Sequence, residues 1–292
     1  MVKKNIFLEV LFYLLIIAIA IYLIFPFYWA LISALKTENE LVQTPASFIP
    51  NHPTLINFKA VLSNPDFLRG MVNSLIIAVT TTLFSLVFGS FAGYALGKLR
   101  FRGRKPALYL ILAMTMFPQV AILSGLFTLI RFVKDIPNSV GFLSWLYIPT
   151  PALLIAMYMI FTLPFTVWVL TSFFKGLPQS LLQAAQVDGA TFFQTFWHVL
   201  LPLTAPALVT TGILAFINAW NEYLFALTFT LQEPSSRTVP VAISQLSGKI
   251  ARQEPVGEIM AGALIITVPL IILVLVFQNR IVEGLTAGSV KG

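Results

Sequence analysis

The residues of this sequence able to do chemistry are few, and most of them sit among apolar neighbours. Asn218, Asn221 and Glu222 fall within a run from Ala207 to Thr230 whose only formal charge is Glu222. On a helix, Asn218 and Glu222 are four residues apart and share a face, and Trp220 and Tyr223 are adjacent. Amides and a carboxylate beside aromatic rings are the groups that recognise sugar hydroxyls and sugar faces. An ionisable group inside an apolar span is functional by default. Asn side chains also tie membrane helices together, so the residues alone leave a path-lining or gating role and a purely structural one evenly matched.

Other chemistries are excluded. Cys is absent, which removes disulfides, thiolate metal sites and Cys nucleophiles. The two histidines, His52 and His198, lie far apart and make no metal site. No phosphate-binding G-x-x-x-x-G-K-[ST] loop is present: Gly97-Lys98 and Gly248-Lys249 lack both the upstream Gly and the following Ser or Thr. No catalytic residue, metal ligand or bound cofactor is expected on this chain.

The elements that must position these residues are membrane helices. Of 292 residues, 58% are hydrophobic and 10% charged, against about 25% charged in soluble domains. Six runs reach the roughly 20 apolar residues needed to cross a bilayer: about 10–32, 73–97, 107–130, 149–174, 207–230 and 259–277. They are continuous rather than alternating, so helices rather than a barrel satisfy the backbone in lipid. Lys3 and Lys4 precede the first run as in a signal peptide, but its apolar core is longer than such a signal's, so a retained helix is expected. Pro26, Pro118, Pro164 and Pro269 fall inside the runs and predict kinks.

Charge placement orients the chain. One side receives ten Lys or Arg against three acids, including Lys98, Arg100, Arg102, Arg104 and Lys105 in one short loop, while the other receives eight against seven. Basic residues in short loops mark the cytoplasmic side, so both termini are expected there, and the +7 net charge needs no nucleic acid to explain it.

The segment 175–206, between the fourth and fifth runs, carries helix punctuation of its own. Pro178 precedes a helix start, and Ser180 to Gln183 fits a capping box. Asp188-Gly189 predicts a stop through a left-handed glycine, and Thr191 to Gln194 fits a second capping box. Pro202 and Pro206 close the second helix. The expectation is a helical elbow with Ala184 and Ala185 on a small exposed surface. Docking on another protein and lying at the bilayer interface fit it equally well.

Gln183-Ala-Ala-Gln-Val-Asp-Gly-Ala190, followed by Leu201-Pro202, resembles the Glu-Ala-Ala…Asp-Gly-Ala signature of the permease subunits of binding-protein-dependent ABC importers. Asn73-Ser74, Ala95 to Arg104, Ala219 to Leu224 and Gly284 to Gly292 resemble the carbohydrate-importer branch, specifically its maltose-permease G-type subunit. The resemblance covers nearly the whole chain. It implies an all-α type I ABC importer permease fold of six transmembrane helices in one permease domain, in the inner membrane of a prokaryote. It implies a second related permease, two ATPase subunits that carry ATP and Mg, and an extracytoplasmic sugar-binding protein, with lipid around the helices. Gln183, Ala184, Ala185, Asp188, Gly189 and Ala190 would then dock on the ATPase, and Thr286, Ala287 and Gly288 of the tail would reach the same partner. The family's leading glutamate is Gln183 here, which loses the charge-assisted part of that contact. The rival classes are a secondary transporter or channel using Glu222, a membrane-embedded enzyme, and a scaffold that only binds proteins.

Overall fold

The computed structural model describes residues 6–139, 148–231, 233–246 and 255–287, and these form helices and connections with no strand. Among the described residues, four helices are long and apolar enough to cross a membrane, or up to six if each of two bent helix pairs counts as one span. The chain divides into two compact units, one of residues 1–68 with 242–269 and the other of 69–241 with 270–292.

In the first unit, α1 (Ile6–Ala34) is apolar on every side, and only Ile32, Ser33 and Ala34 at its end are buried. A helix apolar all round is suited to lipid or a protein partner rather than to water. Pro26 lies within it. Two short helices follow, α2 (Glu38–Leu41) and α3 (Ile56–Leu62). The intervening turns are organised by buried polar groups. Lys36 donates to Ser47 O and sits 5.4 Å over the Trp29 ring. Glu40 accepts the Asn51 N–H at 2.6 Å. Asn57 closes the C-terminus of α1, its Nδ2 donating to Ala34 O at 2.9 Å and Lys36 O at 2.8 Å. Replacing Asn57 by Ala leaves two buried carbonyls unpaired, at about 1–3 kcal/mol each. Asn57→Ala is therefore expected to lower the melting temperature of the purified protein clearly; thermal unfolding identical to wild type would show that the loop is held in some other way.

In the second unit, α4 (Pro65–Lys98) packs against α7 (Thr150–Gly176) through two matched rows four residues apart. Ser85, Gly89, Gly93 and Gly97 face Thr162, Thr166, Leu170 and Phe174. The Ser85 and Thr162 hydroxyls hydrogen-bond at 2.8 Å. A Cβ on Gly97 would lie 2.7 Å from the Phe174 Cβ, and one on Gly93 would lie 3.0 Å from the Leu170 Cβ. Small residues at this spacing let membrane helices approach closely. Arg104 caps α4, donating to Gly97 O at 2.9 Å, whereas Lys98, the last residue of α4, donates to Leu177 O at the C-terminus of α7. Arg100, Arg102 and Lys105 are exposed.

Three features depart from the six continuous runs expected. Residues 107–130 are two helices, α5 (Arg104–Thr115) and α6 (Gln119–Ser139), bent by 96° at a break containing Pro118. Residues 207–230 are also divided, as described below, and the second bent pair lies ahead of that division, Phe192–Leu203 and Ala205–Trp220 meeting at 76°. The helix that holds the run 73–97 starts ahead of it, since α4 already begins at Pro65, where a first-turn proline loses no hydrogen bond. Pro164 lies within α7. Two further helices, α8 (Gln179–Val187) and α9 (Phe192–Thr195), precede a π-helical turn (Phe196–Leu200) and α10 (Leu201–Leu203). They are followed by α11 (Ala205–Trp220), α12 (Leu224–Thr230), α13 (Val239–Ser244) and α14 (Val256–Ala287), with Pro269 inside α14.

Candidate functional site

Two places concentrate functional geometry, both within the second unit. The first is a cavity of about 490 Å³ at which both helix breaks meet. Thr115, Phe117 and Gln119 come from the break between α5 and α6, and Asn218, Asn221, Glu222 and Tyr223 from the end of α11 and the segment after it. Phe161, Thr162 and Phe165 of α7 complete the wall. The structure thus brings all three sequence-predicted residues to one cavity, though not on one helix face. α11 ends at Trp220, and Asn221 is its C-cap. Trp220 is also not an aromatic wall: it is 2% exposed and stacks on Phe216 at 5.6 Å. The residues missed from sequence are Gln119 and the phenylalanines of α5–α7, whose proximity depends on the 96° bend.

The break after α11 contains neither Pro nor Gly; Glu222 organises it. Its Oε1 accepts the Phe225 N–H at 2.8 Å and its Oε2 the Ala226 N–H at 3.0 Å. The carboxylate thereby satisfies two of the orphan amides that open α12. Cap removal costs about 0.5–2 kcal/mol. Glu222→Ala is expected to lower transport several-fold in a complex that still assembles, with Glu222→Gln in between because one acceptor oxygen remains. Proteoliposome uptake together with size-exclusion chromatography checks this, and a loss of assembly would make the residue structural glue instead.

The second place is the elbow. α8 begins at Gln179 with Pro178 as its N-cap and no side-chain cap. Ser180 is therefore inside the helix, and the first expected capping box does not form; Gln183 is exposed and takes no part in a cap. The second box forms as expected: Thr191 Oγ1 accepts the Gln194 N–H at 3.3 Å and Gln194 Oε1 accepts the Thr191 N–H at 2.8 Å. Gly189 has φ +77°, and the Gly189 and Ala190 amides donate back to Gln186 O and Ala185 O. That is the Schellman closure of a helix on a left-handed residue.

The elbow has two unlike faces. Leu182, Phe196 and Leu200 are buried with Tyr94, Leu170 and Phe174, and Ala185 is buried too. The Phe196 ring lies 4.9 Å from Phe91 and 5.5 Å from Tyr94. Ala185 is therefore not on the exposed surface expected for it; it is 7% exposed. Ala184, Gln183 and Asp188 are exposed, and so are Val187, Phe192 and Phe193, three apolar residues that sequence reasoning did not single out. Their exposure could not be read locally, because only the position of the socket decides which side of α8 and α9 faces outward.

Thr286 and Ala287 belong to the last turn of α14. Gly288 lies outside the described residues, as do Lys3, Lys4, Lys249, Arg252 and Lys291. His52 and His198 are both exposed. Among the described residues no group of three His, Cys, Asp or Glu could hold a metal ion.

Residues 85–286, which span the cavity and the elbow, match a family model described as the binding-protein-dependent transport system inner membrane component. The trehalose transport system permease protein SugB of Mycobacterium tuberculosis is 38% identical over 272 residues, 93% of this chain and 93% of that protein. The trehalose/maltose transport system permease protein MalG of Thermococcus litoralis is 38% identical over 278 residues, 94% of each. The crystal structure of a bacterial ABC transporter involved in the import of the acidic polysaccharide alginate shares the fold at a TM-score of 0.74 and 20% identity, covering 96% of this chain and 98% of that one.

Proposed function

Because this chain belongs to the family of binding-protein-dependent transport system inner membrane components, we propose that it forms half of the translocation path of an ATP-driven sugar importer and couples to a separate ATPase through residues 175–206. It is a multi-pass carbohydrate permease subunit with the type I importer fold, not an enzyme. The observation that carries the coupling role is the elbow's division into a socketed face and an exposed one. Leu182, Phe196 and Leu200 anchor it, leaving Val187, Phe192 and Phe193 uncovered beside Gln183 and Ala184. Apolar side chains bare on a polar surface mark a protein contact, and a rigid, capped elbow transmits displacement without melting.

In this reading the exposed face, with Asp188, Gly189 and Ala190 at its turn, docks on one of two ATPase subunits that carry ATP and Mg. Closure of those subunits rocks this chain and a second related permease between inward- and outward-facing states. Both termini and the short basic loop face the cytoplasm, and an extracytoplasmic binding protein delivers the sugar. Asn218, Asn221 and Glu222 line the path, and residues 1–292 act as one permease domain. Thr286, Ala287 and Gly288 extend α14 toward the ATPase.

A secondary transporter using Glu222 gains no support, since both carboxylate oxygens cap α12 and the relatives are importer permeases. The test is reconstitution with the neighbouring permease, ATPase and binding protein. ATP hydrolysis is expected to rise when trehalose or maltose is added with the binding protein. Hydrolysis indifferent to every sugar tried would overturn the reading.

A further inference from the structure

The end of the second unit where α4 meets α7 carries positive charge that no nearby acid offsets. Lys98 donates to Leu177 O and Arg104 to Gly97 O, so residues 98–105 and 175–178 lie together at one end of the helix pair. Arg100, Arg102, Lys105 and Lys175 are exposed there. No Asp or Glu occurs in 98–118 or in 166–187, and among the described residues none of the four pairs with an acid. Rings are interleaved with the cations: Phe101 is exposed between Arg100 and Arg102, and Tyr109 of α5 is exposed as well. Basic residues with amphipathic rings at the end of a span belong to the membrane–water boundary, and several cations just beyond a span attract anionic headgroups.

Farther along α4 lies the apolar half of the arrangement. A narrow groove of about 160 Å³ runs between Leu86, Val87 and Phe91 on one side and Trp197, Leu201 and Leu208 on the other. The hydroxyl in its wall, Ser90, donates back to Leu86 O and leaves the groove apolar. Val87 and Phe91 precede Lys98 by eleven and seven residues, which is about 10–17 Å of helix. One leaflet's hydrocarbon is about 15 Å deep, half of the bilayer core. A phospholipid with its phosphate at the level of Lys98 therefore has its acyl chain at the level of the groove. Phe91 also stacks on Phe196 at 4.9 Å and lies 5.9 Å from Phe193, so a chain held there rests against the anchor of the elbow.

We infer that this end of the second unit is a site for an anionic phospholipid of the cytoplasmic leaflet, with the acyl chain in the groove and the phosphate among Arg100, Arg102, Lys105 and Lys175. A zwitterionic lipid would fill the groove and leave the cations without a net counter-charge. The site rests on the cytoplasmic placement of the basic loop proposed above and goes beyond it, since a positive-inside bias orients a chain without selecting a lipid.

The experiment places the complete permease–ATPase complex in nanodiscs of mixed phosphatidylcholine and phosphatidylglycerol, one lipid at a time carrying acyl-chain bromines. The tryptophan quenching that disappears in Trp197→Phe belongs to Trp197. Brominated phosphatidylglycerol is expected to half-quench Trp197 at an at least about fivefold lower mole fraction than brominated phosphatidylcholine, the gain typical of one basic residue at an anionic surface. In Arg100→Gln/Arg102→Gln/Lys105→Gln the two lipids are expected to quench alike. Val87→Phe, which fills the groove and keeps the cations, is expected to lower quenching by phosphatidylglycerol. Equal quenching by both lipids in the wild type, or a preference that survives the triple variant, would overturn the site. Quenching untouched by Val87→Phe would overturn the groove as its acyl half. No quenching of Trp197 by either lipid would assign the groove to a protein partner and overturn the proposal. Sugar-stimulated hydrolysis in the same discs, with the binding protein added, reports separately on whether the importer function stands.

Discussion

Gly189→Pro is expected to abolish sugar-stimulated ATP hydrolysis and uptake in a complex that still co-purifies. Gly189 has φ +77°, whereas proline is locked near −65°. Proline also removes the amide that donates to Gln186 O at 3.1 Å. The Schellman closure is lost, so α9 leaves α8 in another direction and the exposed face no longer presents Val187, Phe192 and Phe193 together. The anchoring cluster around Phe174 and Phe196 lies on the other side of the elbow, which is why assembly survives. A graded series separates geometry from mere damage. Gly189→Asn tolerates the left-handed region and is expected to keep most coupling. Gly189→Ala bears a left-handed cost of about 1–2 kcal/mol and is expected to lose activity by a few-fold. Stimulated hydrolysis at the wild-type level in the Pro variant would remove the elbow from the coupling path.

The second large effect is expected at the glycine row of α4. Gly97→Leu should prevent accumulation of a folded complex, and the three Ala variants should rank Gly97, then Gly93, then Gly89 in damage. The order follows from what each new Cβ meets. At Gly97 it is the Phe174 Cβ at 2.7 Å, an atom fixed to the backbone of α7. At Gly93 it is the Leu170 Cβ at 3.0 Å and the Thr171 N at 3.2 Å, which also give little. At Gly89 it is chiefly the Thr166 Cγ2 at 2.5 Å, which a χ1 rotation can move at the loss of the hydroxyl's 2.8 Å bond to Thr162 O. Overpacking of this kind costs about 1–3 kcal/mol for a methyl, and a leucine forces the helices apart. Thermal unfolding of the detergent-solubilised complexes would test the order, and equal melting temperatures across the series would mean that α4 and α7 do not depend on this contact.

Legibility in the sequence followed the range of the determining interaction. The left-handed turn at Gly189 and the Thr191–Gln194 capping box are local, and both formed as the residues predicted. The Ser180–Gln183 box is equally well written in the sequence, but Pro178 takes the N-cap with φ −59° and ψ 139°, so the helix opens ahead of Ser180. The glycine row has the spacing of a small-residue packing motif. Its partner, the Thr162–Phe174 row of α7, is over seventy residues away and carries no matching signature.

The sequence alone determined which segments are apolar enough to cross a membrane and where the elbow turns. Apolar length and a glycine's conformational freedom are properties of consecutive residues, indifferent to what lies beside them. Only the tertiary structure decided that two spans break, that both breaks open on one cavity, and that Ala185 turns inward while Ala184 stays out. Hydropathy measures transfer into lipid and carries no direction, whereas the break after Trp220 depends on where the Glu222 carboxylate finds amides to accept from, and the elbow's inner face on where Tyr94, Leu170 and Phe174 form its socket.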